Sequence, residues 1–167
     1  MKSTGTLNVT LPSEREIVIT RVFDAPRRMV YDAMTKPEFL KRWFGPRGWS
    51  LVVCEIDLRV GGKWRFVLRG PDGTEMGMSG VYRELTRPER SMHTESFDDF
   101  PGESLVTTVL VEDAAKTTLT GTILYDSQEI RDAVIKSGME HGAAETYDKL
   151  AELLASPDAF WKEQGAN

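Results

Sequence analysis

The segment from residue 23 to residue 46, FDAPRRMVYDAMTKPEFLKRWFGP, constrains the fold more than any other part of this sequence. Asp24 can cap a short helix through its carboxylate, and Pro26 suits the first turn because its missing N–H costs nothing there. Pro37 ends this helix, since the residue before a proline is pushed out of the α region, and it can open a second one. Two short helices between strand-like sequences predict a helical plug beneath one end of a curved sheet.

The sequence on either side of this helix pair has the alternation and turn signals of antiparallel strands. In KWRFVLR, for example, Trp64 and Phe66 alternate with Lys63 and Arg65, so we expect the two aromatic side chains to face inward. Seven strands are predicted, at residues 15–23, 50–58, 63–69, 75–85, 90–97, 104–111 and 117–125.

The period of the sequence changes after the last predicted strand. Ser127 can cap a helix, and Ile135, Met139 and Ala143 belong to an apolar stripe with helical spacing. These features predict one long helix over about residues 127–155. The predicted fold class is therefore α+β: a curved seven-stranded antiparallel sheet wrapped around a long C-terminal helix, with two short helices after strand one.

The expected domain organisation is simple. We expect a flexible N-terminal arm at residues 1–14, a single domain at 15–156 and a C-terminal tail at 157–167. A curved sheet cannot wrap tightly around a straight helix, so we also expect a cavity between them.

Composition and charge exclude several classes of protein. The chain of 167 residues has a formal net charge of −5, so non-specific attraction to nucleic acid is not expected. No apolar run reaches the length of a membrane span, and the N-terminus lacks the apolar core of a signal peptide. The lone cysteine, Cys54, excludes an internal disulfide and a cysteine-rich metal site. We expect a cytoplasmic protein.

Several motifs in order resemble one known family. They are DAPRRMVYDAMTKPEFLKRWFGP, CEIDLRVGGKWRF, GPDGTE, GVYRELTRPER and SGMEHGAAETYDKLAELL. Together they resemble the family named after the activator of the heat-shock protein 90 ATPase, of the bacterial single-domain type, within the helix-grip superfamily of START-like and pollen-allergen-like proteins (SRPBCC). The resemblance implies the helix-grip fold and a hydrophobic cavity, with no metal, no cofactor and no fixed catalytic set.

Three departures from this family reduce side-chain bulk. Relatives usually carry large residues where this chain has Ala143 and Ala144, an aromatic residue at His93, and a large apolar residue at Gly121. We therefore expect a ligand cavity of about 300 Å³ or more. Its expected lining residues are Trp64, Phe66, Met76, Met78, His93, Met139 and Ala143.

A few polar residues are candidates for chemistry. His93 and Glu95 share a strand face and could act as a general acid–base pair in a pocket, or they could be a surface pair on a sheet edge. Glu55 and Asp57 also share a face, which is more often solvated than catalytic. His141 lies beside the apolar stripe, and no further ligands for a metal site are evident.

Three functions stay open at this point. The first is a protein that binds a small hydrophobic or amphipathic molecule, and it is the one we expect. The second is a cyclase-like or hydrolase-like enzyme that uses His93 and Glu95. The third is a chaperone-associated interaction domain, for which the sequence gives no support. A homodimer is also open.

Overall fold

The computed structural model describes residues 6–156, so part of the predicted arm and the whole predicted tail at 157–167 lie outside the described residues. Eight strands and four helices follow one another along the chain. They are β1 (Asn8–Thr10), β2 (Glu16–Phe23), α1 (Arg27–Thr35), α2 (Pro37–Trp43), β3 (Ser50–Ile56), β4 (Lys63–Arg69), β5 (Glu75–Thr86), β6 (Arg90–Phe97), β7 (Ser104–Asp113), β8 (Lys116–Leu124), α3 (Gln128–Lys136) and α4 (Met139–Leu154). None of the described helices is both long and apolar enough to cross a membrane.

All eight strands form one antiparallel sheet in the order β1-β2-β8-β7-β6-β5-β4-β3. The α+β class is confirmed, but the predicted count of seven strands was one too low. Asn8–Thr10, in the segment that we expected to be an arm, pairs with β2 and adds a short edge strand. The sequence missed it because three residues are too few to show a reliable alternation.

One face of the sheet is buried beneath the helices. In β2, Ile17, Ile19, Arg21 and Phe23 are buried and alternate with partly exposed residues, as the period of two requires. Trp64 and Phe66 of β4 are only 4% and 7% exposed, which confirms that they face inward. The apolar core therefore lies between this face and the helices.

The helix pair α1–α2 forms where the sequence predicts it, with one difference at its start. Pro26, rather than Asp24, is the N-cap residue, and no side chain caps the helix. Pro37 is the first residue of α2, whose apolar face buries Phe39 and Trp43. The Trp43 indole N–H donates a hydrogen bond of 2.8 Å to the carbonyl oxygen of Ala33, which fixes the two helices against each other.

The predicted long helix over residues 127–155 is in fact two helices. Ser127 caps α3 as predicted, because its hydroxyl accepts a hydrogen bond from the Ile130 N–H at 3.2 Å. The chain then breaks at Ser137 and Gly138, and Gly138 adopts a left-handed φ of +86° at the start of α4. The sequence hid this break because the apolar stripe continues across it from Ile135 to Met139.

An ion pair between a buried arginine and a partly exposed aspartate joins α4 to the sheet. Arg21 is 1% exposed, and its Nη1 lies 2.7 Å from Oδ1 of Asp148 on α4. Its guanidinium also lies 5.5 Å from the centre of the Phe23 ring. The pair holds the middle of α4 over β2.

The break before α4 predicts opposite effects for two glycine substitutions. Gly138→Ala forces a side chain into the left-handed region and should lower the free energy of unfolding by about 1–2 kcal/mol. Gly142→Ala should raise it by about 0.5–1 kcal/mol, since Gly142 lies within α4 and its added Cβ would meet Pro46 at an ordinary 3.5 Å. Urea denaturation measures both changes, and a stabilising Gly138→Ala would contradict the break.

Candidate functional site

A cavity of about 250 Å³ lies between the buried face of the sheet and α4, with α1 and α2 at one end. It is somewhat smaller than the volume of about 300 Å³ that we expected. Strands β2, β4, β5, β6, β7 and β8 all contribute lining residues, so the cavity spans the middle of the sheet.

Small residues keep this space open on both sides. Gly121 of β8 lines the cavity in one row with Thr108 of β7 and Ile19 of β2. A Cβ at Gly121 would lie 3.1 Å from Cγ1 of Ile19, so a larger residue would push into neighbouring side chains. Met139 and Ala143 of α4 line the opposite side. Gly121 and Ala143 therefore both lie in the cavity wall, and their small size leaves space in the cavity.

Aromatic rings form much of the remaining wall. Phe44, just after α2, packs against Phe66 with ring centres 5.1 Å apart, and Trp64 lies 4.8 Å from the same ring. Trp43 and Tyr147 face each other at 6.0 Å. Tilted and edge-on contacts at these distances are favourable for aromatic pairs, so the rings stabilise one another in the wall.

His93 and Glu95 of β6 both face the cavity, as their two-residue spacing predicts. The His93 ring lies edge-on to Trp64 at 5.4 Å and to Tyr82 at 6.1 Å. Burial lowers the pKa of His93 from 6.5 to about 4, because charging the ring in this apolar setting is costly. His93 is therefore neutral near pH 7.

The Glu95 carboxyl lacks a charged partner. Within the described part of the chain, no hydrogen bond or ion pair reaches its side chain. Burial raises its pKa from 4.5 to about 7. Burial also raises the pKa of the nearby Tyr147 hydroxyl to about 12, and the Glu95 charge adds to that shift. The carboxyl and this hydroxyl share one region of the cavity.

The structure places five of the seven predicted lining residues on this cavity. They are Trp64, Phe66, His93, Met139 and Ala143. Met76 and Met78 are not among the lining residues: in the register they lie opposite Leu68 and Phe66 of β4, and Met78 is buried in the packed core. Alternation gives the face of a strand correctly, but it does not tell which part of that face borders the cavity.

Tyr31 and Tyr147, which were not predicted from the sequence, also bring hydroxyl groups to the wall. A signal for Tyr147 was present, because it follows Ala143 by four residues and so lies on the same helix face. Ala144, by contrast, is next to Ala143 in sequence and does not line the cavity.

The other candidate residues lie away from the cavity. Glu55 and Asp57 are exposed, and Asp57 pairs with Arg59 at 2.8 Å. His141 is 83% exposed and lies 3.5 Å from Glu145 on the outer side of α4. Among residues 6–156, no group of three or more histidine, cysteine, aspartate or glutamate side chains is arranged to hold a metal ion.

Residues 24–155 match a family model described as activator of Hsp90 ATPase homolog 1-like protein. The chain belongs to this family. None of the curated proteins matches it.

Solved structures of bacterial proteins share the fold. A protein from Rhodobacter sphaeroides is 32% identical, with 90% of this chain and 99% of that chain covered and a TM-score of 0.86. A protein from Nitrosomonas europaea is 26% identical, with coverage of 94% and 100% and a TM-score of 0.79. The AHSA1 protein from Silicibacter pomeroyi, 21% identical with coverage of 84% and 97% and a TM-score of 0.68, has the same fold.

His93 and Glu95, the two cavity residues that titrate between about pH 4 and 7, predict opposite effects of pH on stability. The contribution of His93 is present above its unfolded pKa of 6.5 and is lost as the pH falls through about 4. The contribution of Glu95 is present below its unfolded pKa of 4.5 and is lost as the pH rises through about 7. Glu95→Gln should therefore show a free energy of unfolding that rises from pH 4 to 6.5, and His93→Gln one that falls from pH 4.5 to 7.

Urea denaturation over this pH range measures both slopes. In each variant the free energy of unfolding should change by about 2–3 kcal/mol over its pH interval. The wild-type protein should change less than either variant, because its two contributions oppose each other. His141→Gln, on the exposed side of α4, is the control and should keep the wild-type profile. Slopes of the same sign in the two cavity variants would show that at least one of the side chains is not buried.

Proposed function

We propose that this protein binds a small hydrophobic or amphipathic molecule in the cavity between the sheet and α4. The observation that carries the proposal is the apolar, largely aromatic wall around a space of about 250 Å³. Cavities of roughly 150 Å³ with apolar walls stay dry and admit benzene, so this space has room for a larger ring system. A binding role in the cytoplasm is consistent with the single, unpaired Cys54.

The residues proposed to contact the ligand come from both sides of the cavity. Trp64 and Phe66 supply the aromatic wall on the sheet, and Met139 and Ala143 supply the wall on α4. The thioether of Met139 is flexible and polarizable, so it can adapt to ligands of different shape. His93 lies on the sheet side of the cavity, next to Trp64, and offers a neutral hydrogen-bonding group.

Filling the cavity from α4 should abolish binding of an apolar probe. Ala143→Trp places a large ring in the space, so the affinity for toluene should fall by at least about tenfold while stability stays level or rises if the rotamer fits. Isothermal titration calorimetry measures the affinity. Ala143→Leu, a smaller change, should reduce it less.

Ala144→Trp is the matched control, because Ala144 is the next residue of α4 and does not line the cavity. It should bind toluene as the wild-type protein does, and circular dichroism should show that both tryptophan variants are folded. If Ala143→Trp binds toluene as tightly as the wild-type protein, the cavity is not the binding site.

An enzyme is the second candidate, because the structure brings His93 and Glu95 into the same cavity. A general acid or base works best when its pKa lies near the working pH. Burial puts the pKa of Glu95 at about 7 and that of His93 at about 4, so Glu95 is the better suited of the two. If the wild-type protein converts a ligand to a product and Glu95→Gln does not, the result would favour an enzyme over a protein that only binds the ligand.

A further inference from the structure

The charged groups on the cavity wall are unevenly distributed. Glu95 contributes a carboxyl, whereas no lysine or arginine of the described chain lines the cavity. The carboxyl accepts no hydrogen bond from residues 6–156. An ionised carboxylate on a mostly apolar cavity wall is costly when no positive group pairs with it, and no such group lines this wall.

The nearest elements of the fold supply no such group. Arg21 faces the same side of the sheet from β2, but it pairs with Asp148 at 2.7 Å and is not a lining residue. Lys149 of α4 donates a hydrogen bond of 3.0 Å to the carbonyl oxygen of Gly45, away from the cavity wall. Neither side chain lines the cavity, although two nitrogens of Arg21, Nε and Nη2, are buried without a hydrogen-bond partner in the described chain.

The titratable groups that face Glu95 are all neutral near pH 7. His93, on the same strand, has its pKa lowered to about 4 by burial. Burial raises the pKa of Tyr147 on α4 to about 12, and it also raises that of Tyr125 after β8. When Glu95 is ionised, a positive group that enters the cavity therefore meets one negative charge and no cation among the lining residues.

The aromatic wall favours a positive group as well. Tyr147, Trp43 and Trp64 all line the cavity, and the faces of such rings attract a cation within about 6 Å. A carboxylate beside aromatic rings is the combination that recognises ammonium groups, since the ion pair and the ring faces act together.

We propose that the cavity ligand is an apolar molecule that carries one protonated amine, with the nitrogen paired to the Glu95 carboxylate and the apolar part against the aromatic wall. This inference rests on the proposed binding function and names its ligand class. When Glu95 is protonated in the free protein, its carboxyl loses that proton to water as the ligand binds. The resulting carboxylate then carries the one negative charge that pairs with the positive charge of the ammonium.

Ligands of matched shape test the proposal. Calorimetric titration of benzylamine, benzyl alcohol, benzoate and toluene into the wild-type protein at about pH 8 gives four affinities, with Glu95 mostly ionised. Benzylamine should bind at least about tenfold more tightly than benzyl alcohol, and benzoate more weakly than either. At about pH 5.5, where Glu95 is mostly neutral, the ratio of amine to alcohol affinity should fall several-fold.

Glu95→Gln removes the charge but keeps the shape of the side chain, so the preference for benzylamine should disappear. Glu55→Gln removes an exposed carboxylate outside the cavity and should keep the preference. Toluene binding that persists without any preference for the amine, or a preference that persists in Glu95→Gln, would overturn this inference while the proposed function stands. If toluene does not bind either, the proposed function itself fails.

Discussion

The packing of α4 over the buried face of the sheet is the constraint on which the rest of the structure depends. The two halves of α4 pack differently against the sheet. At the C-terminal end, Leu150, Leu153 and Leu154 are buried in the core. At the N-terminal end, Met139 and Ala143 leave the cavity open. A straight helix on a curved sheet cannot fill both ends, so the cavity follows from the fold and its size follows from the residues at the open end.

The order of elements could be predicted from the sequence because its signals are local. Pro37 separates the two short helices, and alternation places Trp64 and Phe66 on the inner face. The break at Gly138 could not be predicted in the same way, because the apolar stripe on either side stays in phase. An apolar stripe indicates which face is buried, but it does not reveal one residue with a left-handed backbone, here Gly138.

Part of the candidate site could also be predicted. The reduced bulk at Gly121 and Ala143 indicated where space would be, and both residues line the cavity. Met76 and Met78 were placed correctly in a strand, but the position of the cavity along that strand depends on how α2 packs against the sheet. The partnerless state of the Glu95 carboxyl likewise depends on three-dimensional placement, since Arg21 is available in the sequence but is paired with Asp148 in the fold.

Methyl NMR spectroscopy tests most directly whether an apolar ligand binds in the cavity between the sheet and α4. The seven methionines and the alanines can be labelled on their methyl groups and observed while toluene is added. Met34, Met139 and Ala143 line the cavity, so their signals should shift most. Met76, Met78 and Ala144 do not line it and should shift little. Larger shifts at Met76 and Met78, or equal shifts throughout, would show that toluene binds elsewhere and would contradict the account.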